Sequence, residues 1–251
     1  MVDTKNTLLT HAFTLLDCFS LEQPEVGVRQ AARLTGLSTS TAGRLMASLK
    51  EMGLLKQNPD THAYRLGTKV LEWAGVVSAT LDIRTKALPY MSEMHRKTHE
   101  TISLYVPEGL DRLCIERLES IYHVRIVGWV GRRLPLHAGS AGKAMLAFMP
   151  EAQREALINA MELKPFTDQT ITDRAALRAA LVETRRLGYA VSHGEWVSEA
   201  SGVAAAVLNS QGEVVAGLCI SGPSQRFSED RLPLFIEEVT RAAALVSKEI
   251  G

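Results

Sequence analysis

The stretch between residues 28 and 66 constrains the fold most, because it arranges short elements in an order that few folds use. Val28–Leu34 has helical apolar spacing, and Gly36 suits the sharp turn that follows it. Ser38 can cap a third helix, since its hydroxyl can accept a free backbone N–H of the next turn. That helix is predicted to run to Met52 and to end at Gly53. The residues of the two helices expected to face a common core are Val28, Ala31, Ala32, Leu34, Ala42, Leu45, Leu49 and Met52.

Two short strand-like runs follow this third helix. Leu54–Gln57 and His62–Leu66 flank the turn-forming residues Asn58-Pro59-Asp60-Thr61, which indicates a β-hairpin. A first helix is predicted upstream, over Thr7–Phe19. Three helices followed by a hairpin form a winged helix-turn-helix, whose recognition helix enters the major groove of DNA. The apolar stripe of the first helix consists of Leu8, Ala12, Leu15, Leu16 and Phe19.

Local charge agrees with a DNA-binding segment at this place. The formal net charge of the 251 residues is zero. Between Val28 and Lys69, however, seven Lys and Arg residues stand against two acids, which gives 7 − 2 = +5 and leaves −5 for the rest of the chain. A basic segment balanced by an acidic remainder is typical of a DNA-binding module joined to a domain that does not touch DNA.

The exposed face of the third helix supplies side chains suited to DNA. Serine and threonine hydroxyls can reach phosphates or bases, Gly43 permits close approach, and Arg44 can bind guanine or a phosphate. Lys50 and Lys56 are expected near the backbone, and His62 or Arg65 on the wing. The alternative is that the hydroxyls only cap the helix and that Arg44 is a solvated charge. The hydroxyl residues are Ser38, Thr39, Ser40 and Thr41.

The rest of the chain is predicted to be an α+β domain built on an antiparallel sheet. A helix over Thr68–Leu81 carries an apolar stripe that needs a partner and is the natural dimer contact. The next helix, Ala87–His99, tolerates Pro89 in its first turn. Strands are predicted at Thr101–Val106, Arg112–Glu116, His123–Val127, Tyr189–Ser192, Val203–Leu208 and Val214–Ser221. Helices are predicted at Ala141–Phe148, Glu151–Met161, Asp173–Leu187 and Glu229–Ile250.

The stretch from His137 to Lys143 has the composition of an anion site. Small residues that open a helix leave backbone N–H groups free at the positive end of the helix dipole. The spacing is not that of a phosphate-binding P-loop, because only two residues separate Gly139 from Gly142 and Ala144 stands where Ser or Thr would bind magnesium. It is not a nucleophile elbow either, since Ala138 precedes Ser140 by two residues. The alternative is tight packing of a helix start against the sheet.

Several motifs together resemble the IclR (isocitrate lyase regulator) family of transcriptional regulators. The DNA-binding motifs are Ala31–Leu45, Leu49–Leu54 and Tyr64–Gly67. Further motifs extend the resemblance over nearly the whole chain: Leu134–Ala144, Gly188-Tyr189-Ala190 and Ile220–Pro223. The resemblance implies a domain order of a winged helix-turn-helix at 1–67, a linker helix and dimer contact at 68–82, and a GAF-like effector domain at 83–251.

The resemblance also implies a site for a small effector, often a carboxylate. Gly139, Ser140 and Ala141 would form its helix end, the last two as backbone donors. Its lining would come from Ser192, Gly202, Cys219 and Ser221, and its walls from His123, Ile126, Leu134 and Ala200. A family member that binds small keto-acids has Asp, Cys and Ser where Ser192, Gly202 and Cys219 stand.

These departures suggest a larger or less polar effector. Serine for aspartate removes a charge, and Gly202 for cysteine is expected to open volume. The hypothesis is an aromatic acid, with His123, His137, His193 or Trp196 nearby. The alternatives are that Cys219 is plain core and that Trp196 only packs, and His95 on an apolar stripe is expected to be structural.

The function predicted is a repressor whose binding to a pseudo-palindromic operator is controlled by an effector. The resemblance implies a homodimer or a dimer of dimers, and the protein is expected in the cytoplasm, without a cofactor, metal or catalytic residue. Cys18, Cys114 and Cys219 lack the spacing of a zinc site or disulfide framework, and neither a signal peptide nor a membrane span is expected. Two alternatives stay open: an enzyme with a winged helix as interaction module, which no motif supports, and a sensor that binds protein partners instead of DNA.

Overall fold

The computed structural model describes residues 7–250, which fold into two compact units divided between Thr80 and Leu81. The first unit is a winged helix followed by one more helix, in the order α1, α2, α3, β1, β2, α4. Their bounds are α1 Thr7–Leu16, α2 Val28–Thr35, α3 Thr39–Glu51, β1 Leu55–Gln57, β2 Tyr64–Leu66 and α4 Lys69–Thr80. The predicted helix-turn-helix and hairpin are therefore confirmed.

The turn between α2 and α3 forms as its sequence predicts. Gly36 ends α2 with φ of 72°, and Ser38 caps α3 by accepting the N–H of Thr41. Two residues predicted to face the core do not, because Leu34 is 54 % and Met52 66 % exposed. Both lie at the C-terminal end of a helix, where the apolar side chains extend beyond the small core. That core comprises Leu15, Val26, Ala31, Ala32, Ala42, Leu45, Met46, Leu49, Leu54, Leu55 and Tyr64.

The second unit is a six-stranded antiparallel sheet with helices on both faces, as expected for a GAF-like α+β domain. Its strand order is β5-β4-β3-β8-β7-β6. The strands are β3 Thr101–Glu108, β4 Asp111–Leu118, β5 Arg133–Pro135, β6 Ala190–His193, β7 Ala200–Leu208 and β8 Val214–Pro223. The helices are α5 Asp82–Thr98, α6 Ser140–Phe148, α7 Glu151–Ala160, α8 Arg174–Leu187 and α9 Leu232–Ile250, with a short 3-10 helix at Ser224–Arg226.

Each face of the sheet has its own core. On one face α5 and α9 pack with Met91, Met94 and Phe235 fully buried. On the other face α6, α7 and α8 pack through Met145, Ile158 and Leu177. Within residues 7–250, no helix has both the length and the apolar character needed to cross a bilayer.

The strand predicted at His123–Val127 is wrong, since this stretch is irregular. The edge of β4 is already taken, because Cys114 bonds the backbone of Gly131 and Arg132, and the unpredicted strand β5 continues the pairing. The stretch 123–127 forms no ladder with this edge of β4, and Val124 is 72 % exposed.

Two helix starts also differ from their predictions. The helix predicted at Ala87 begins at Asp82, so Pro89 lies inside α5 instead of in its first turn. Asp82 suits the positive end of the helix and pairs with Lys86 one turn later, which stabilises the earlier start. The last helix begins at Leu232 instead of Glu229.

Candidate DNA-binding surface and effector cavity

The N-terminal half of α3 presents a polar, exposed face. Thr39, Ser40 and Arg44 are exposed, and the last two are one helical turn apart. Ser38 and Thr41 have a second task, because the Ser38 hydroxyl caps the helix and lies 2.8 Å from the Thr41 hydroxyl. Helix capping therefore accounts for part of the role of Ser38 and Thr41. It does not account for the exposed side chains of Thr39, Ser40 and Arg44.

Gly43 does not face outward with them. A Cβ at this position would meet Val28 of α2 at 3.4 Å, so the glycine lies at the packing between α2 and α3. The expectation that Gly43 permits a close approach of DNA is corrected on this ground. Its small size serves the contact between the two helices.

The hairpin adds basic side chains to the same unit. Lys56 of β1 pairs in register with Arg65 of β2, and both are exposed. Lys50 reaches the hairpin, with its Nζ 3.4 Å from the Gln57 amide oxygen. His62 is exposed in the turn with φ of 57°, a conformation unusual for a residue other than glycine. The wing therefore presents the cations that the sequence predicted there.

A cavity lies in the second unit between the sheet, the start of α6 and the irregular segment before β5. Eleven of the twelve residues predicted for the effector site line it. The exception is His123, which is exposed in the irregular segment and is therefore removed from the site. The eleven are Ile126, Leu134, Gly139, Ser140, Ala141, Ser192, Trp196, Ala200, Gly202, Cys219 and Ser221.

The first turn of α6 brings backbone donors to this cavity. Gly139 turns the chain with φ of 91°, and its N–H donates to a carboxylate oxygen of Glu195 at 2.9 Å. Within the described chain, the N–H groups of Ser140 and Ala141 have no acceptor. One donor of the predicted anion site is therefore used internally, and two stay available.

Glu195 also binds Lys143, and both side chains are buried. Lys143 donates to the carbonyl of Val191 as well, at 2.9 Å. This buried pair explains the lysine of the 137–143 motif, which neutralises an acid of the chain and does not line the cavity.

Gly202 leaves room for a neighbouring side chain. A Cβ there would lie 2.9 Å from the Ser140 hydroxyl oxygen, and that hydroxyl is 3.5 Å from the Cys219 sulfur. The volume expected from this glycine is therefore occupied by Ser140, which corrects the argument that Gly202 enlarges the site.

Arg112 is the most informative residue that the sequence did not predict for this site. It lines the cavity and is 4 % exposed. One guanidinium nitrogen donates to the carbonyl of Pro135, while the buried Nε has no partner. The guanidinium lies 5.3 Å from the centre of the Tyr105 ring. Burial lowers its pKa, yet an arginine stays charged, so a buried cation faces the cavity.

A signal for Arg112 was present in the sequence. In a strand, side chains alternate between the two faces, so Arg112 shares a face with Cys114. Cys114 also lines the cavity. The alternation could place the arginine on one face, but it could not show that this face opposes the start of α6.

Two more arginines line the cavity and hold the irregular segment. Arg117 donates to the carbonyl of Ile126, to the Ser103 hydroxyl at 3.1 Å and to Glu119 at 2.6 Å. Arg132 donates to the carbonyl of Val127 at 2.9 Å and lies 4.6 Å from the centre of the Trp129 ring. These contacts attach a segment with little buried apolar surface to the cavity wall.

The remaining titratable side chains of the cavity are uncharged at neutral pH. Burial raises the pKa of Tyr105 to about 12 and that of Cys114 to about 11. Burial also raises the pKa of Cys219. Cys219 lines the cavity as well as the core, so it is more than plain packing.

The histidines proposed near an aromatic effector lie elsewhere. His137 stacks on Phe166 and bonds the carbonyl of Lys164 at 3.1 Å, while His193 bonds the Ser201 hydroxyl. Neither lines the cavity. His95 bonds the carbonyl of Glu119 at 2.7 Å, in agreement with its expected structural role. Of the four proposed aromatic contacts, Trp196 alone lines the cavity, and it also packs on Phe166.

A winged helix joined to a domain with a cation-lined cavity defines a ligand-responsive transcriptional regulator. The model of the IclR helix-turn-helix domain matches residues 8–59, and that of the bacterial transcriptional regulator IclR C-terminal domain matches residues 76–248. The chain belongs to the IclR family.

Similar proteins cover nearly the whole chain. The HTH-type transcriptional regulator KipR of Bacillus subtilis is 34 % identical over all of this chain and 99 % of its own. The transcriptional repressor AllR of Escherichia coli is 32 % identical over 86 % of this chain and 79 % of its own. An IclR homologue from Microbacterium hydrocarbonoxydans, solved with 4-hydroxybenzoate, has a TM-score of 0.84 at 29 % identity, covering 97 % of this chain and 98 % of its own.

Proposed function

We propose that this protein is a repressor whose operator binding is controlled by an organic acid held in the cavity of the second unit. The observation that carries the proposal is Arg112, a buried guanidinium that faces the cavity with an unpartnered Nε. An isolated buried charge is costly, so a site of this kind is completed by an anion.

The donors around Arg112 suit a carboxylate. A Cβ on Gly139 would lie 3.2 Å from a guanidinium nitrogen of Arg112, so the arginine adjoins the first turn of α6. The free N–H groups of Ser140 and Ala141 belong to that turn. A carboxylate between them would accept charge-assisted bonds from the arginine and backbone bonds from the helix. The homologue solved with 4-hydroxybenzoate supports an aromatic acid.

Titration of the full chain with small acids tests this proposal. Benzoate, 4-hydroxybenzoate, pyruvate and glyoxylate are added separately, and heat of binding and melting temperature are recorded. We expect an aromatic acid to bind and to raise the melting temperature, because a ligand specific for the folded state stabilises it. Tight binding of pyruvate or glyoxylate with no binding of the aromatic acids would reject the aromatic effector.

We expect Arg44→Ala to weaken binding to a DNA duplex selected in vitro by about 1–3 kcal/mol, if the arginine binds a base. Fluorescence anisotropy on the selected and on a shuffled duplex, each over a range of salt concentrations, measures the loss. Arg33→Ala removes another exposed arginine of the same unit and serves as the control. Equal weakening on both duplexes would assign Arg44 to a phosphate, and a steep loss of affinity with salt is expected in either case.

The first unit also presents an apolar groove that fits a dimer. Side chains of α1, α3 and α4 line it, and Phe13, Met52 and Trp73 are more than half exposed. We propose that a second copy of the chain covers the exposed face of α4 and the part of the groove formed by α1, which leaves Thr41 and Arg44 on its α3 side open to DNA. A two-fold dimer then presents two recognition helices to a pseudo-palindromic operator. DNA as the partner also supports a cytoplasmic location and a regulator without catalysis.

Introducing a charge into the groove tests the dimer. Trp73→Glu is expected to shift the protein from dimer to monomer in sedimentation velocity, because a carboxylate would be buried unpaired at the contact. Val182→Glu adds the same charge at an exposed valine of α8, outside the groove, and is expected to leave the dimer intact. A dimer that persists in the Trp73 variant at micromolar concentration would reject this surface.

A further inference from the structure

The charges that face the cavity do not balance. The ionised side chains lining it are three guanidiniums and one carboxylate: Arg112, Arg117, Arg132 and Glu195. The thiols of Cys114 and Cys219 and the Tyr105 phenol stay protonated at neutral pH, because burial raises each pKa. The neutral groups therefore supply no negative charge to the wall.

Two of these four charges are already neutralised within the chain. Glu195 pairs with Lys143, and both of their side chains are 8 % exposed. Arg117 pairs with Glu119 through Nε at 2.6 Å, and its other two nitrogens are occupied by Ser103 and Ile126. Neither group forms an ion pair with the other two arginines, although Glu195 lies near enough to favour the charged form of Arg112 and to raise its pKa.

Arg112 and Arg132 stay without a carboxylate. In the part of the chain that the structure describes, no acid lies within ion-pair distance of either guanidinium. The lining alone therefore carries +3 − 1 = +2, while Lys143, which pairs with Glu195, and Glu119, which pairs with both Arg117 and Arg125, do not line the cavity.

The two cations stand against different parts of the cavity wall. Arg112 lies by Gly139 and the Tyr105 ring, at the start of α6. Arg132 lies over the indole rings of Trp129 and Trp196, 4.6 and 5.8 Å from their centres. Two anionic groups on one ligand could therefore each meet a cation, with flat apolar atoms between them against the indole of Trp196.

We infer that the effector is a dianion, a dicarboxylic acid with a planar unsaturated or aromatic spacer. One carboxylate binds Arg112 with the N–H groups of Ser140 and Ala141, and the other binds Arg132. The inference rests on the proposed function of the cavity and specifies the charge of its ligand. It also assigns Arg132 as the residue that distinguishes diacids from monoacids.

Pairs of probes that differ in one charge test this inference on the full chain. Fumarate, isophthalate and terephthalate are each compared with their monomethyl ester, which keeps the skeleton and removes one carboxylate. Calorimetry gives a Kd for each. We expect the tightest-binding diacid to exceed its half-ester by about tenfold or more, because a charge-assisted bond contributes that much.

Arg132→Gln is expected to remove most of this preference, so that the diacid and the half-ester differ by less than about threefold. Arg133→Gln is the matched control, since Arg133 is the next residue, does not line the cavity and pairs with Glu108 at 3.0 Å. It is expected to keep the wild-type ratio.

The outcomes separate this inference from the proposed function. Half-esters or benzoate that bind as tightly as the diacids would overturn the dianion and leave an acid effector in place. A diacid preference that survives Arg132→Gln would overturn the assignment of Arg132. No binding by any diacid, half-ester or benzoate, nor by the pyruvate and glyoxylate of the first titration, would overturn the effector cavity itself, and the dianion with it.

Discussion

Gly142→Ala is expected to lower the free energy of unfolding of the second unit by about 3 kcal/mol or more. A Cβ at this position would lie 2.0 Å from the carbonyl oxygen of Leu136 and 2.6 Å from its carbonyl carbon. Both atoms are backbone, so no side-chain rotation relieves the overlap. The start of α6 must move away from the Leu136 strand end, and the donors of Ser140 and Ala141 move with it.

Denaturation by urea, followed by circular dichroism, measures this loss. Gly75→Ala is the control, because Gly75 is also helical and a Cβ there meets nothing within 4 Å. That variant is expected to be stabilised by about 0.5–1 kcal/mol, as alanine is the better helix former. A loss below about 1 kcal/mol for Gly142→Ala would show that the helix start tolerates a side chain and is not held by this contact.

Local chemistry allowed much of the fold to be predicted from the sequence. The Ser38 cap, the Gly36 turn and the hairpin between β1 and β2 depend on residues a few positions apart. Periodicity likewise predicted the last helix, α9, in which Phe235 and Val239 are fully buried. Patterns of this kind act within one element, so a single sequence displays them.

The wrong predictions concern contacts that are determined by residues far away in the sequence. The stretch 123–127 has residues suited to a strand, but the free edge of β4 is used by residues 131–135. The free N–H of Gly139 was part of the predicted anion site, but Glu195, far along the chain, binds it. Neither competitor could be inferred from neighbouring residues.

The lining of the cavity was also predicted only in part. The resemblance to a family predicted ten of the lining residues and the aromatic-acid hypothesis added Trp196, but neither predicted the three arginines that decide the charge of the cavity. Arginine side chains are mostly exposed, so nothing in the sequence marked Arg117 or Arg132 as residues of a cavity wall. Their place in the wall depends on the irregular segment before β5, whose Ile126 and Val127 carbonyls they bind, and part of this segment, His123–Val127, was predicted as a strand.

Arg112→Met is expected to have opposite effects on ligand binding and on stability. Binding of an acid effector should weaken on the order of 100-fold, because the variant lacks the buried cation that the carboxylate meets. The ligand-free protein should become more stable by about 1 kcal/mol, since a methionine of similar length replaces a buried charge that has no acid partner. The lost bond to the Pro135 carbonyl subtracts from this gain without reversing it.

Arg117→Met is the matched control for this pair of effects. Its side chain also lines the cavity and is only 6 % exposed, but its three nitrogens bind Ser103, Glu119 and Ile126. Removing it leaves those groups unpaired and is expected to destabilise the ligand-free protein by about 1–3 kcal/mol. The free energies of unfolding of the two variants are compared by urea denaturation. Mass spectrometry first shows that each protein sample carries no ligand. If Arg112→Met were as destabilising as Arg117→Met, Arg112 would be a structural residue. If Arg112→Met stabilises the ligand-free protein, Arg117→Met destabilises it, and the Arg112 variant also loses effector binding, then Arg112 serves to bind the ligand. Selection for stability alone would not retain such a buried charge.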